Sequence, residues 1–313
     1  MLTPRALRRT ALPAAAVAAL AALTACGGSS DAATAPKDSG RVGVVTSFYP
    51  LQYAVQRVGG DAVTVTNLTK PGAEPHDLEL TPKDVAAVTD AGLVVYLSGF
   101  QPAVDEAVKD QAADRAFDVA KAATLDRTVE ADEGPEAGSQ VTDPHFWLDP
   151  TRLAAVGDAI AQRLAQAEPA KADVFTRNAA ALRTDLETLD GEFEAGLASC
   201  ANKDLVTSHQ AFGYLAARYG LTQVGITGLS PEAEPDAATL AKVTDFVKQN
   251  KVTTIYYETL ISPDVAKTVA AETGAKTAVL DPLEGISDAS AAQDYLGVMR
   301  ANLAALKAGQ PCS

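Results

Sequence analysis

Short apolar strand patterns alternate with helical ones in two separate runs, and this constrains the chain more than any other feature. The first run holds RVGVVTSF (41–48), VTVTNL (63–68) and GLVVYLS (92–98), compact Val-rich segments separated by Ala/Leu-rich stretches of helical character. The second holds DLVTSH (204–209), LTQVGI (221–226), VTTIYYE (252–258) and KTAVLD (276–281), again with helical patterns between and after them. Apolar strands separated by helices imply a parallel sheet covered on both faces. Two runs therefore predict an α/β protein of two lobes, each a mostly parallel sheet flanked by helices.

Between the runs lies PAKADVFTRNAAALRTDLETLDGEFEAGLAS, residues 169–199. Phe175, Ala179, Leu182, Leu186, Leu189, Phe193 and Leu197 recur at steps of three and four, which paints one apolar stripe on one long helix. Roughly thirty residues at ~1.5 Å each span about 45 Å, enough to run along both lobes. Pro169 suits the first turn. Gly191 and Gly196 each cost about 1 kcal/mol of helix propensity, so the pattern admits a break near the far end. A stiff helix packed on both lobes limits how far they can swing.

The ends point to export. Arg5, Arg8 and Arg9 precede a short apolar stretch at residues 11–23, so residues 1–25 read as a signal peptide, too short for a permanent membrane span. Arg8-Arg9 leaves both the general and the twin-arginine route open. The stretch ends in Leu23-Thr24-Ala25-Cys26, which resembles a bacterial lipobox and implies a lipid on Cys26, with residues 26–40 as a flexible tether. The expected organisation is then an N-terminal lobe at 41–168, a linking helix at 169–199 and a C-terminal lobe at 200–313.

Charge narrows the partners. The net charge of -14 becomes -14 - 3 = -17 once the three arginines of residues 1–25 are gone. So acidic a surface excludes phosphate-backbone binding, and it favours a hydrocarbon anchor over attraction to anionic lipid. With Cys26 assigned to lipid, Cys200 and Cys312 remain as one pair in an oxidising compartment. A bridge would close a loop of about a hundred residues, worth on the order of 4 kcal/mol; two buried thiols are the other reading.

The chain has three histidines: His76 in KPGAEPHDLEL, His145 in DPHFWLDP and His209 in LVTSHQAFGYLAARYGL. His76 follows the strand ending near Leu68, His145 follows the acidic loop that closes the first lobe, and His209 ends the second lobe's first strand. Ligands of open α/β sheets bind beyond the carboxyl ends of the strands. AVLDPLEG puts Asp281 at the end of another such strand, although an Asp-Pro pair is also a common turn starter. Facing lobes would bring three imidazoles and one carboxylate to one cleft.

Taken together, the lipobox, PHDLEL, DPHFWLDP, the long middle helix, TSHQAFGYLAARYGL, GLSPEAEP and LDPLEG resemble the metal-binding substrate-binding lipoproteins of bacterial ABC importers, in the zinc/manganese cluster. The resemblance covers nearly all of the mature chain. It implies two α/β lobes joined by one rigid helix, with metal held between them by His76 and His145 from the first lobe and His209 and Asp281 from the second. It also implies an ABC permease with a cytoplasmic ATPase as partner, a zinc metallochaperone as a candidate loader, a monomeric protein, and a lipid-anchored location outside the bacterial cell membrane. Manganese and iron members usually carry glutamate at the position of His209. Many zinc members carry a long histidine-rich loop where this chain has the short acidic TVEADEGPEAGSQVTD. Glu130, Asp132, Glu133 and Glu136 there either concentrate cations or form a solvated linker.

The donor set independently favours Zn2+, which takes imidazoles and a carboxylate tetrahedrally, whereas manganese prefers more oxygen. A manganese- or iron-binding homologue is the nearest alternative. From other classes come an exported zinc metallohydrolase, which would need an open fourth position for water, and a surface adhesin. HExxH and GxSxG are both missing, and neither Glu74 nor Glu258 is singled out as a base. The expected role is capture and delivery of zinc, not turnover. Trp147, two residues from His145, is expected to report binding.

Overall fold

The computed structural model describes residues 40–131 and 138–313. The signal peptide, Cys26 with residues 26–39 of the tether, and Asp132, Glu133 and Glu136 lie outside the described residues.

The first sheet comprises β1 (Val42–Thr46), β2 (Val63–Asn67), β3 (Leu93–Tyr96) and β4 (Ala116–Asp118), parallel throughout in the order β2-β1-β3-β4. Its crossovers are α1 (Tyr49–Gly59), α2 (Pro82–Asp90) and α3 (Pro102–Gln111), and α4 (Ala120–Ala123) follows. An antiparallel pair, β5 (Thr128–Glu130) and β6 (Gln140–Thr142), leads to α5 (Pro150–Ala167). A 3-10 turn, Pro169–Lys171, opens the long helix α6 (Ala172–Leu197). The second sheet, order β10-β9-β7-β8, comprises β7 (Asp204–Thr207), β8 (Thr222–Gly225), β9 (Thr254–Tyr257) and β10 (Lys276–Val279), also parallel. Helices α7 (Gly213–Tyr219), α8 (Ala237–Gln249) and α9 (Asp264–Thr273) connect these strands, and α10 (Tyr295–Gly309) closes the chain.

The seven strand segments expected from the sequence all form strands. Three more, β4, β5 and β6, are three residues each, too short to leave a periodicity. Successive strand residues point to opposite faces, which divides the core. Val44, Leu93 and Val95 face one side of the first sheet while Val45 and Val94 face the other; in the second sheet Leu205 and Tyr256 oppose Val206 and Ile255. The inner faces of both sheets merge with α6 into one apolar core, and each outer face is covered by a smaller cluster.

All seven residues of the α6 stripe are buried, and the 26-residue helix runs unbroken through both glycines. At Gly196 a Cβ would stand 3.0 Å from Leu303 of α10, so the missing side chain brings that helix close. The helix packs on α1 and α5 on one side and on α7 and α10 on the other. Ion pairs follow the same division: Asp185 with Arg57 (2.6 Å), Arg183 with Asp158, Asp190 with Arg218 (2.5 Å) and Glu192 with Arg300 (2.8 Å). At its far end Cys200 is disulfide-bonded to Cys312, 112 residues away, which ties the C-terminus to the end of α6.

Candidate metal centre

The three imidazoles and one carboxylate meet at the carboxyl ends of the strands. His76 Nε2, His145 Nε2 and His209 Nε2 lie 3.2, 3.0 and 3.3 Å from a single atom, Glu284 Oε1. One donor atom from each of the four residues lies within 4.8 Å of all the others. His145 and Glu284 are wholly buried, His209 is 1% exposed, and the His76 side chain keeps 13% of its surface.

Each donor is aimed by its local chain. His76 rides the loop between β2 and α2; its backbone N–H donates to Glu74 Oε1 (2.9 Å) and its ring stands edge-on to Phe100, 4.7 Å between centroids. His145 precedes the 3-10 turn Phe146–Leu148, and its Nδ1–H donates to Asp143 Oδ1 at 2.8 Å. His209 lies just past β7, its Nδ1–H donating to Glu258 Oε1 at 2.7 Å. With Nδ1 carrying the proton, His145 and His209 each turn an Nε2 lone pair toward Glu284 Oε1. Lone pairs facing a carboxylate oxygen at 3.0–3.3 Å repel unless positive charge sits among them.

A zinc ion with donors at ~2.0–2.1 Å holds tetrahedral neighbours about 3.3 Å apart. The observed 3.0, 3.2 and 3.3 Å fit that cage. One of the four donor atoms, the buried His209 Nε2, has no hydrogen-bond partner, as an atom reserved for a cation would not. The neighbouring carboxylates favour the charged form of the imidazoles. Burial works to lower the pKa of both buried imidazoles, but Asp143 and Glu284 outweigh it at His145 and hold that pKa above its ordinary value. At His209, Glu258 and Glu284 outweigh burial by more and hold it well above. Burial would raise Glu284, yet His76, His145 and His209 together hold it well below the usual carboxylate range.

The carboxylate expected in this cluster was Asp281, and the structure places Glu284 there instead. Asp281 is buried with its oxygens already engaged: Oδ1 accepts from Leu283 N (2.8 Å) and Oδ2 from Thr259 Oγ1 (3.1 Å). Its backbone is gripped on both sides by the Asn302 amide, at 2.9 and 2.7 Å. Burial raises its pKa against those hydrogen bonds. Leu283 takes a left-handed φ of 58°, unusual for a branched side chain, and this turn delivers Glu284 into the cleft. The signal available in the sequence was the second carboxylate of LDPLEG, three residues beyond the strand-end aspartate.

Contacts from the His145 segment cross to the same loop. Trp147 Nε1 donates to the Pro282 carbonyl (2.7 Å), and Tyr295 donates to the Trp147 carbonyl (2.6 Å). Gly72 in the His76 loop donates to the Ile286 carbonyl at 3.0 Å. A cavity of about 1190 Å³, lined in part by His76, Asp77, Phe100, Lys121 and Ser230, opens beside the cluster on the His76 side.

Comparison with known proteins accords with this geometry. The family model described as zinc-uptake complex component A, periplasmic (ZnuA), matches residues 44–309. The chain belongs to the ZnuA family. It is 38% identical over 283 residues to the zinc-binding lipoprotein AdcA of Streptococcus pneumoniae (strain ATCC BAA-255 / R6), covering 86% of this chain but only 56% of AdcA. It thus spans little more than half the length of that relative. It is 36% identical to the high-affinity zinc uptake system protein ZnuA of Bacillus subtilis (strain 168), covering 91% of this chain and 92% of that protein. Among solved structures, the Zn(II)-bound ZnuA-like domain of Streptococcus pneumoniae AdcA superposes with a TM-score of 0.72 at 38% identity, over 87% of this chain and 99% of that domain. The laminin-binding protein Lmb of Streptococcus agalactiae superposes with a TM-score of 0.77 at 36% identity, over 86% and 99%. Among the described residues, no helix is long and apolar enough to cross a membrane.

Proposed function

We propose that this ZnuA-family chain captures Zn2+ outside the cell and hands it to an ABC permease driven by a cytoplasmic ATPase. The observation that carries the reading is the convergence of His76, His145, His209 and Glu284, one donor atom of each within 4.8 Å of all the others. Zinc is the transported cargo, held by three neutral imidazoles and one ionised carboxylate. The relatives named for zinc binding and for zinc uptake support the choice of metal, and His209 in place of glutamate supports zinc over manganese. Metal gripped from both lobes stabilises the arrangement in which its donors meet, and only such a difference between states can signal loading to a partner. The expected anchor is a lipid on Cys26, with a metallochaperone as a further candidate partner.

Glu284 is also why the reading is binding without turnover. With a carboxylate in the fourth position no coordinated water is left to act as nucleophile. Glu258, one of the two carboxylates open to a base role, is spent on His209 and Ser208 (both 2.7 Å). Metal analysis of protein purified from zinc- and manganese-supplemented medium, followed by competition titration, tests the proposal. One zinc per chain, held more tightly than manganese, is the expected result, and tighter manganese binding overturns it. An additional adhesive role is favoured by one observation, the description of Lmb as bifunctional with adhesin and metal transporting activity. Binding to immobilised laminin tests it.

A further inference from the structure

The cluster has an outer layer built from two buried carboxylates. Asp143, just past β6, is wholly buried, and its Oδ1 accepts twice from His145, from the ring Nδ1–H at 2.8 Å and from the backbone N–H at 3.0 Å. Glu258, just past β9, is 3% exposed, and its Oε1 accepts from His209 Nδ1–H and Ser208 Oγ, both at 2.7 Å. Each leaves its other oxygen buried with no partner. A buried carboxylate with one oxygen unsatisfied is costly to fold around, so something beyond stability accounts for two of them at one site.

Their own supports hold them still. The Asp143 backbone N–H donates to Arg127 O (3.0 Å) and its carbonyl accepts from Tyr214 Oη (3.1 Å). Gly213 leaves room for the carboxylate, since a Cβ there would stand 2.6 Å from Asp143 Oδ2. Ser208, which shares Glu258 with His209, donates its backbone N–H to Tyr256 O at 2.9 Å. The two carboxylates thus reach the site from different strands and different lobes.

We infer that Asp143 and Glu258 are positioning residues that fix Nε2 as the nitrogen His145 and His209 offer to the ion, and strengthen those nitrogens as donors. The inference rests on the zinc-binding reading. With the other tautomer, an Nδ1 lone pair would face a carboxylate oxygen at 2.7–2.8 Å, a repulsive contact. Hydrogen-bonding a ring N–H to a carboxylate also raises the basicity of the opposite nitrogen. His76 is held instead through its backbone and the Phe100 edge, which makes it an internal control.

The test compares Glu258→Gln, Glu258→Ala and Asp143→Asn with wild type by competition titration with zinc, alongside long-range proton–nitrogen spectra of 15N-histidine-labelled, zinc-loaded protein. Circular dichroism checks each fold, and the isosteric Glu258→Gln keeps the test valid where Glu258→Ala does not fold. Zinc affinity is expected to fall about 10–100-fold for Glu258→Ala and less for Glu258→Gln, which retains an acceptor oxygen. In Glu258→Ala the His209 pattern of protonated Nδ1 and metal-bound Nε2 is lost while those of His76 and His145 persist. Wild-type affinity in the variants, or weaker binding with an unchanged His209 pattern, overturns the inference while leaving the zinc reading intact. A wild type that takes up no zinc removes both.

Discussion

Glu284→Ala compared with Asp281→Asn separates the carboxylate that holds the ion from the one that holds the turn. Glu284 is wholly buried and its Oε1 lies 3.0–3.3 Å from Nε2 of His76, His145 and His209, so its loss removes the one carboxylate of the four-residue cluster found among the described residues. Losing an outer-layer partner of a metal site costs about 10–100-fold in affinity. A charged donor in contact with the ion is worth more, so Glu284→Ala is expected to weaken zinc binding by more than about 100-fold, or roughly 2.7 kcal/mol, even with water filling the fourth position. Asp281→Asn keeps an oxygen for the Leu283 N–H and a polar partner for Thr259, so its effect is expected to stay under about tenfold, or 1.4 kcal/mol. Asp281→Ala loses both bonds around a leucine held at φ 58°, a conformation that costs an L-residue about 1–2 kcal/mol, and falls between the two. Competition with a chromophoric zinc chelator at pH 7.5 reads all three, with thermal melts of the metal-free proteins to confirm folding. A collapse of affinity in Asp281→Asn beside near wild-type binding in Glu284→Ala would refute the assignment.

Three further outcomes are expected. Because His145 and His209 hold protons above their ordinary pKa in the metal-free protein, zinc must displace them, and affinity should begin to fall as pH drops toward ~6.5, with about one to two protons released per zinc. Calorimetry in buffers of different ionisation enthalpy measures this, and a heat independent of buffer counts against it. By the same sign, raised histidine pKa values stabilise the metal-free fold below ~pH 6.5, and that contribution fades as pH rises through the folded values, so its melting temperature should decline at alkaline pH and recover with zinc. Trp147→Phe removes the indole donor to Pro282 while keeping an aromatic ring; a loss of about 1–2 kcal/mol is expected, and wild-type protein should show a zinc-dependent change in tryptophan fluorescence that this variant lacks. Replacing both Cys200 and Cys312 by Ala opens a 112-residue loop and should cost up to about 5 kcal/mol in denaturant titrations with little change in zinc affinity.

The fold was legible because each of its signals is local and periodic. The α6 stripe from Phe175 to Leu197 reports a buried helix face, and Val-rich runs such as 41–48 report strands buried on both sides. The three-residue strands at 116–118, 128–130 and 140–142 carry too few residues for a period and owe their pairing to neighbours. What the strand pattern left hidden was that the two lobes share one core, since Val44 and Leu205 each look only like an apolar residue of their own sheet.

The histidines were legible for a similar reason: strand ends place them, and the rule that ligands gather at the carboxyl edge of an open sheet needs no side-chain detail. The same rule selects Asp281, because Asp281 stands at such an edge. It fails because the chain does not stop there. Asp281 turns inward to accept from Leu283 N, Asn302 clasps its backbone, Leu283 crosses into the left-handed region, and the next residue, Glu284, is carried into the cage. Nothing in the periodicity of LDPLEG announces that a leucine adopts a conformation ordinarily left to glycine. The aspartate that accepts from this leucine's N–H is itself held by tertiary partners more than twenty residues from it, at Thr259 and Asn302. If zinc is held as proposed, an aspartate in the loop acts on it only through the glutamate it aims, and its amide variant should spare zinc binding where loss of Glu284 does not.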